Sequence, residues 1–186
     1  MTQPANTTHD ERKLAIRSLR NMFKALPPRA RLAEGAMMAL QAVGGASMAF
    51  SIGQALHIEQ AFWAAITAIA VAQHSYADTQ HLARDQFIGA MVGGVCGLAG
   101  ALFGGGYLAA YAATVALAII VCWSVNVGSA ARLGGITATI MLLVPGIGPP
   151  WQVALLRLAE VTLGTLCALF VCWLISRVEA RWMADR

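Results

Sequence analysis

The sequence predicts an all-α, polytopic membrane protein of six transmembrane helices, and three observations lead there. Hydrophobic residues make up 58% of the 186-residue chain and charged residues only 12%, where a soluble domain has roughly 45–50% and about a quarter. That leaves too little polar surface to coat a water-soluble globule of this size. The charge is also unevenly placed. Residues 1–31 hold seven Lys/Arg and two acids, residues 32–176 three and five, and residues 177–186 three and two. Finally, long apolar runs recur six times between the two basic ends. A soluble enzyme, a disordered tail and a secreted disulfide scaffold are excluded. One transmembrane domain is expected at 32–176, between a basic cytoplasmic segment (1–31) and a short cytoplasmic tail (177–186).

Within the first segment, Ile16, Leu19, Met22, Phe23 and Leu26 recur at helical spacing, interleaved with Arg12, Lys13, Arg17, Arg20 and Lys24. This pattern describes an amphipathic helix lying on the anionic cytoplasmic leaflet and broken by Pro27-Pro28. It is too long and polar for a signal peptide, and no clear cleavage site follows the first apolar run.

A spanning helix takes ~20 mostly apolar residues. The six runs fall at about 32–52, 61–76, 86–104, 107–126, 133–147 and 153–175. The second and fifth are short, and the fifth ends at Pro145-Gly146. Each run is continuous rather than alternating, which excludes barrel strands. Their four cysteines (Cys96, Cys122, Cys167 and Cys172) lie inside apolar runs, where a thiol packs as a small hydrophobe. No pair has the spacing of a metal or redox motif.

Orientation follows from the loops. With both termini cytoplasmic, the inner segments 1–31, 77–85, 127–132 and 176–186 hold every Lys and Arg except Arg157, and the outer turns at 53–60, 105–106 and 148–152 hold none. Trp63, Tyr107 and Trp151 then mark the outer aromatic belt, with Tyr76, Trp123 and Trp173 marking the inner one.

Six helices invite comparison of two halves. Ile66-Thr67-Ala68 reappears as Ile136-Thr137-Ala138, and Gly93 with Cys96 reappears as Gly164 with Cys167. Three helices per half make this a 3+3 inverted repeat, with the short second and fifth helices in corresponding places. Such interrupted helices mark the substrate path in inverted-repeat transporters.

Intramembrane charge is costly, so it is functional by default. Arg157 lies in the sixth run with Glu160 three residues on, roughly on the same face. Arg157 is the candidate anion-attracting group, with Glu160 setting its rotamer or taking protons. A purely structural ion pair is the alternative. Thr67, Thr137, Thr139, Gln41 and Asn126 are polar groups at expected membrane depth that could bind a substrate, although threonine there usually bonds a helix carbonyl. Trp63 could stack on an aromatic ring or simply anchor at the interface. Arg84, Arg132 and His74 stand at the cytoplasmic mouth, where they would concentrate anions. His74, Asp78, His81 and Asp85 would align along one side of a helix, a set able to bind a metal. A cytoplasmic hinge is polar in any case, and Ser75 with Asp78 reads as an ordinary helix start, so no metal is assigned. The stripe Gly89, Gly93, Gly97 and Gly100/Gly104 lets another backbone approach closely, whether from this chain or from a second subunit. No phosphate-binding loop, dinucleotide fingerprint or catalytic set is present. Neither a cofactor, an enzymatic activity nor a nucleic-acid partner is therefore expected.

The segment FWAAITAIAVAQHSYADTQHLARDQFIGAMVGG (62–94) and the arginine-led RLAEVTLGTLCALFVCWLI (157–175) resemble the fusaric acid resistance (FUSC, aromatic acid exporter) superfamily of bacterial inner-membrane proteins. With the six-helix hydropathy the resemblance covers about 62–175. It implies six-helix modules, export of aromatic or other organic anions, and often a periplasmic adaptor partner. Arg84 and Arg157 correspond to the family's helix-leading arginines. The chain is distantly similar to plant aluminium-activated malate transporters, which are dimeric anion channels. Many family members carry two such modules and large cytoplasmic domains, where this chain has one module, so a homodimer is the expected assembly. The resulting expectation is an inner-membrane exporter of small, plausibly aromatic, carboxylates, proton-coupled or gradient-driven. A passive anion channel and a non-transporting membrane subunit are its rivals.

Overall fold

The computed structural model describes residues 28–103, 107–144 and 148–184. The amphipathic helix expected before Pro27, Gly104 of the glycine stripe and the Pro145-Gly146 stop lie outside them. The described residues are helical, with no strand among them. The elements are α1 (Pro28–Ala55), α2 (Phe62–Val71), α3 (Tyr76–Phe103), α4 (Leu108–Ser124), a single 3₁₀ turn (Gly128–Ala130), α5 (Ala131–Leu143) and α6 (Pro150–Ala184).

The chain divides into two compact units, Met1–Met37 and Met38–Arg186. Of the first, the described part is the start of α1, exposed or half-buried throughout. The second unit contains the other five helices and the remainder of α1.

Three helices are long and apolar enough to cross a bilayer: Pro28–Ala55, Tyr76–Phe103 and Pro150–Glu179. The other apolar helices, Phe62–Val71, Leu108–Ser124 and Gly128–Leu143, are shorter. At 1.5 Å per residue, the ten residues of α2 rise ~15 Å, half a hydrocarbon core of about 30 Å. The expectation of six spans therefore reduces to three full-length helices and three shorter ones. This arrangement is a multi-pass membrane protein. Its outer surface bears Val95, Phe103, Leu108 and Ile120, all largely exposed, as lipid-facing residues are.

Local chemistry explains where the second run stops. Ala72 turns extended (ψ 126°) after its N–H closes on the Ala68 carbonyl. Ser75 then caps α3, its Oγ accepting from the Ala77 N–H at 3.2 Å, with Asp78 in the first turn. Thr79 ties this corner down by exchanging hydrogen bonds with the backbone of Gln73. The helix start read from Ser75 and Asp78 is thus present. The alignment of His74 with Asp78, His81 and Asp85 is not, because His74 precedes the helix. The third run also begins earlier than expected, since 77–85 is helix rather than loop.

The two halves build the same contacts. His57 and Asn126 follow the ends of α1 and α4 with left-handed φ of 55° and 60°. His57 N–H donates to Gln54 O and Ile58 N–H to Gly53 O, just as Asn126 N–H donates to Trp123 O and Val127 N–H to Cys122 O. This double closure is the Schellman motif. Farther on, α3 crosses α5 at Gly93 and α6 crosses α2 at Gly164. A Cβ on Gly93 would meet the Gly134 carbonyl oxygen and lie 2.8 Å from Thr137 Cβ. One on Gly164 would meet the Ala64 carbonyl oxygen and lie 2.8 Å from Thr67 Cβ. Gly100 abuts Thr114 of α4 as Gly44 abuts Val171 of α6. Each half therefore packs its third helix on the other half's second, and the core clusters follow suit. Ala68 and Cys167 belong to one, Ala138 and Cys96 to the other. From Gly89 to Gly100 the glycine stripe is thereby spent within the chain, against α5 and α4.

Candidate functional site

Arg157 lies seven residues into α6, about two turns from Pro150, and Glu160 follows on the same face. Both are almost fully buried, at 7% and 2% exposure. Arg157 Nη1 donates to Glu160 Oε2 at 2.8 Å. The guanidinium carbon sits 3.7 Å from the centre of a Trp63 ring, the geometry of a cation–π contact. Trp63 stands in the first turn of α2, where its Nε1 donates to Gln60 Oε1 at 3.2 Å. Its two faces of chemistry are thus both used: the ring supports the arginine, and the indole N–H is held by the loop.

Arg157, Glu160 and Gln60 border a cavity of about 380 Å³. The α1–α2 loop supplies His57, Glu59 and Gln60 to its wall, α6 supplies Gln152 beside Arg157 and Glu160, and the C-terminal end of α5 supplies Ile140 and Val144. Arg157 Nη2 is buried with no hydrogen-bond partner among the described residues. A buried guanidinium N–H without an acceptor is expensive. The cavity's polar lining combines the Arg157 guanidinium with the carboxylates of Glu59 and Glu160, the amides of Gln60 and Gln152 and the His57 imidazole, between aliphatic side chains.

Of the residues singled out in the sequence, the structure brings together Arg157, Glu160 and Trp63. Trp63 is half-buried, with its ring against Arg157. Thr67 and Thr137 are buried at the helix crossings opposite Gly164 and Gly93. Thr139 Oγ1 donates to the Gly135 carbonyl at 2.9 Å and lies 3.4 Å from the Tyr111 hydroxyl. Asn126 is exposed in the α4–α5 turn, where its left-handed φ accounts for the residue type. Gln41 is buried on α1 with Oε1 unpaired, one turn before the Gly44 contact with Val171 and so beside the distant half of α6. Arg84 and Arg132 are exposed near the N-terminal ends of α3 and α5, and His74 is exposed before α3. All three lie away from the cavity, which takes the C-terminal end of α5. Sequence reading did not single out Gln60, Gln152, His57 or Glu59. Their one signal is position, in the turns that flank Trp63 and Arg157.

A family model described as fusaric acid resistance protein-like matches residues 48–171, a stretch that includes α2 to α5, α6 as far as Val171, and every residue of the Arg157 site named above. No curated protein and no solved structure matches the chain significantly.

Proposed function

The chain belongs to the fusaric acid resistance protein-like family, and from that premise we propose that it transports small organic carboxylates, aromatic ones among them, across the bacterial inner membrane. The observation that carries the proposal is the Arg157 guanidinium, buried beside a cavity, backed by Trp63 and with Nη2 unpaired. The carboxylate would be received by Arg157, and the apolar body would lie along Ile140, Val144 and Leu156. Six membrane crossings with both termini cytoplasmic complete the reading. On that topology the cavity opens among the outer turns, while Arg84 and Arg132 face the cytoplasm. The matching contacts of the two halves support an inverted repeat working by alternating exposure of one site.

The test is flux of labelled benzoate, 4-hydroxybenzoate and succinate in proteoliposomes, with and without an imposed pH gradient. Saturable flux that Arg157→Gln abolishes, with the protein still in the membrane, is the expected result. Ohmic single-channel currents would instead make the protein a channel. Absence of flux for all three anions would leave it a subunit of another assembly.

A further inference from the structure

We propose that Glu160 is a built-in substitute for the substrate carboxylate, so that an anion binds Arg157 by exchange with Glu160, which then takes up a proton. The inference rests on the preceding reading of the site and specifies how it is coupled.

The charge of Arg157 is already neutralised by Glu160 at 2.8 Å, and the guanidinium face is occupied by Trp63 at 3.7 Å. Nη2 is buried with no acceptor among the described residues. A second carboxylate arriving there would share one guanidinium with Glu160 in a buried setting, and two carboxylates so placed do not both remain ionised. The substrate, arriving as an anion, keeps its charge if it takes the two parallel N–H groups of the fork, the strongest arrangement open to it. Glu160 then gives up Nη1 and becomes a neutral acid by adding one proton to its carboxylate. No bond within the substrate changes.

Other groups that could supply this titration are few. His57 and Glu59 line the same cavity from the α1–α2 loop. From Met38 onward α1 carries no titratable side chain, nor does α2. On α5 Arg132 stands at the far end from Ile140 and Val144, and on α3 Asp78, His81, Arg84 and Asp85 fall in the first ten residues, with the thiol Cys96 beyond them. Glu160 is therefore the acid in contact with the bound arginine, with His57 and Glu59 as rim groups.

The exchange fixes the kind of coupling. The loaded site holds an anion and a protonated Glu160, and the empty site holds neither. Anion and proton cross together, one for one, so transport of a monocarboxylate is electroneutral symport. Export then runs on the substrate's own outward gradient, and an inward proton gradient opposes it.

Equilibrium binding of labelled benzoate to the purified full-length protein tests this, with protons counted in weakly buffered solution. The expected result is uptake of about one proton per benzoate and binding about 100-fold tighter at pH 6 than at pH 8, tenfold per unit for one linked proton. Glu160→Gln should bind benzoate with little dependence on pH, Glu160→Asp should restore the dependence, and His57→Gln should retain it. Benzoate binding without proton uptake overturns the exchange while leaving the site intact. So does a pH slope that survives in Glu160→Gln or vanishes in His57→Gln. The wild-type proton count decides the matter even where a variant does not fold. Failure of benzoate, 4-hydroxybenzoate and succinate alike to bind overturns both the exchange and the proposed function.

Discussion

Arg157 is held by three partners of different kinds: an ion pair, a ring face and a helix. Stripping one of them has a calculable consequence. A desolvated cation–π contact is worth about 2 kcal/mol, so Trp63→Ala should weaken carboxylate affinity and lower thermal stability, whereas Trp63→Phe should preserve most of both. A thermal-shift series with and without benzoate separates the two effects. Equal loss in Trp63→Phe and Trp63→Ala would show that the indole N–H bond to Gln60, not the ring face, is what matters. Arg157→Gln alone strands a buried carboxylate, which costs about 3–5 kcal/mol. The paired change Arg157→Gln with Glu160→Gln removes both charges together. It should recover most of the stability, measured by melting in detergent, without recovering transport.

At the scale of elements, the tight crossings make a sharper prediction. Gly93→Ala and Gly164→Ala each drive a methyl into a backbone carbonyl of the facing helix, with no flexible side chain to yield. Gly94→Ala, the next residue along, meets nothing within 4 Å and serves as the control. The two crossing variants should melt several degrees lower or fail to accumulate, by about 1–3 kcal/mol as overpacking does, and Gly94→Ala should behave as wild type in the same melting assay. Some of this architecture is legible in the sequence. The glycine stripe, the Thr67 and Thr137 repeat, and the Ser75 helix start all follow from residue type and spacing. That the second run is short is legible as well, but its stop at Val71 is not, because Ala72 is as apolar as the helix it ends. His74 fails for the same reason, since spacing assumes a helix that has not yet begun. Arg157 and Glu160 stand out because a charge in an apolar run has few explanations. Trp63 does not, because a tryptophan at the edge of such a run looks the same whether it meets lipid or an arginine.

For the whole molecule, the equivalence of the two halves predicts a second shape. The offset of seventy-one that relates Gly93 to Gly164 carries Arg157 onto Gln86, Glu160 onto Gly89 and Gln152 onto His81. In this structure that far end is closely packed at Gly89. A Cβ on Gly89 would meet Leu133, the Gly134 nitrogen and the Ala130 carbonyl at 2.7–3.0 Å, where its counterpart Glu160 borders an open cavity. If the halves exchange conformations, the Gln86 side opens as the Arg157 side closes. In a background with the four buried cysteines replaced, Glu59→Cys should react with a membrane-impermeant maleimide from the outer face. Gln86→Cys should react from the inner face, in inside-out vesicles. Saturating benzoate should change the two labelling rates in opposite directions, as a single equilibrium between two exposures requires. Rates that rise or fall together would mean a channel open along its length, and labelling of both positions from one face would overturn the N-in, C-in topology on which the inverted repeat depends.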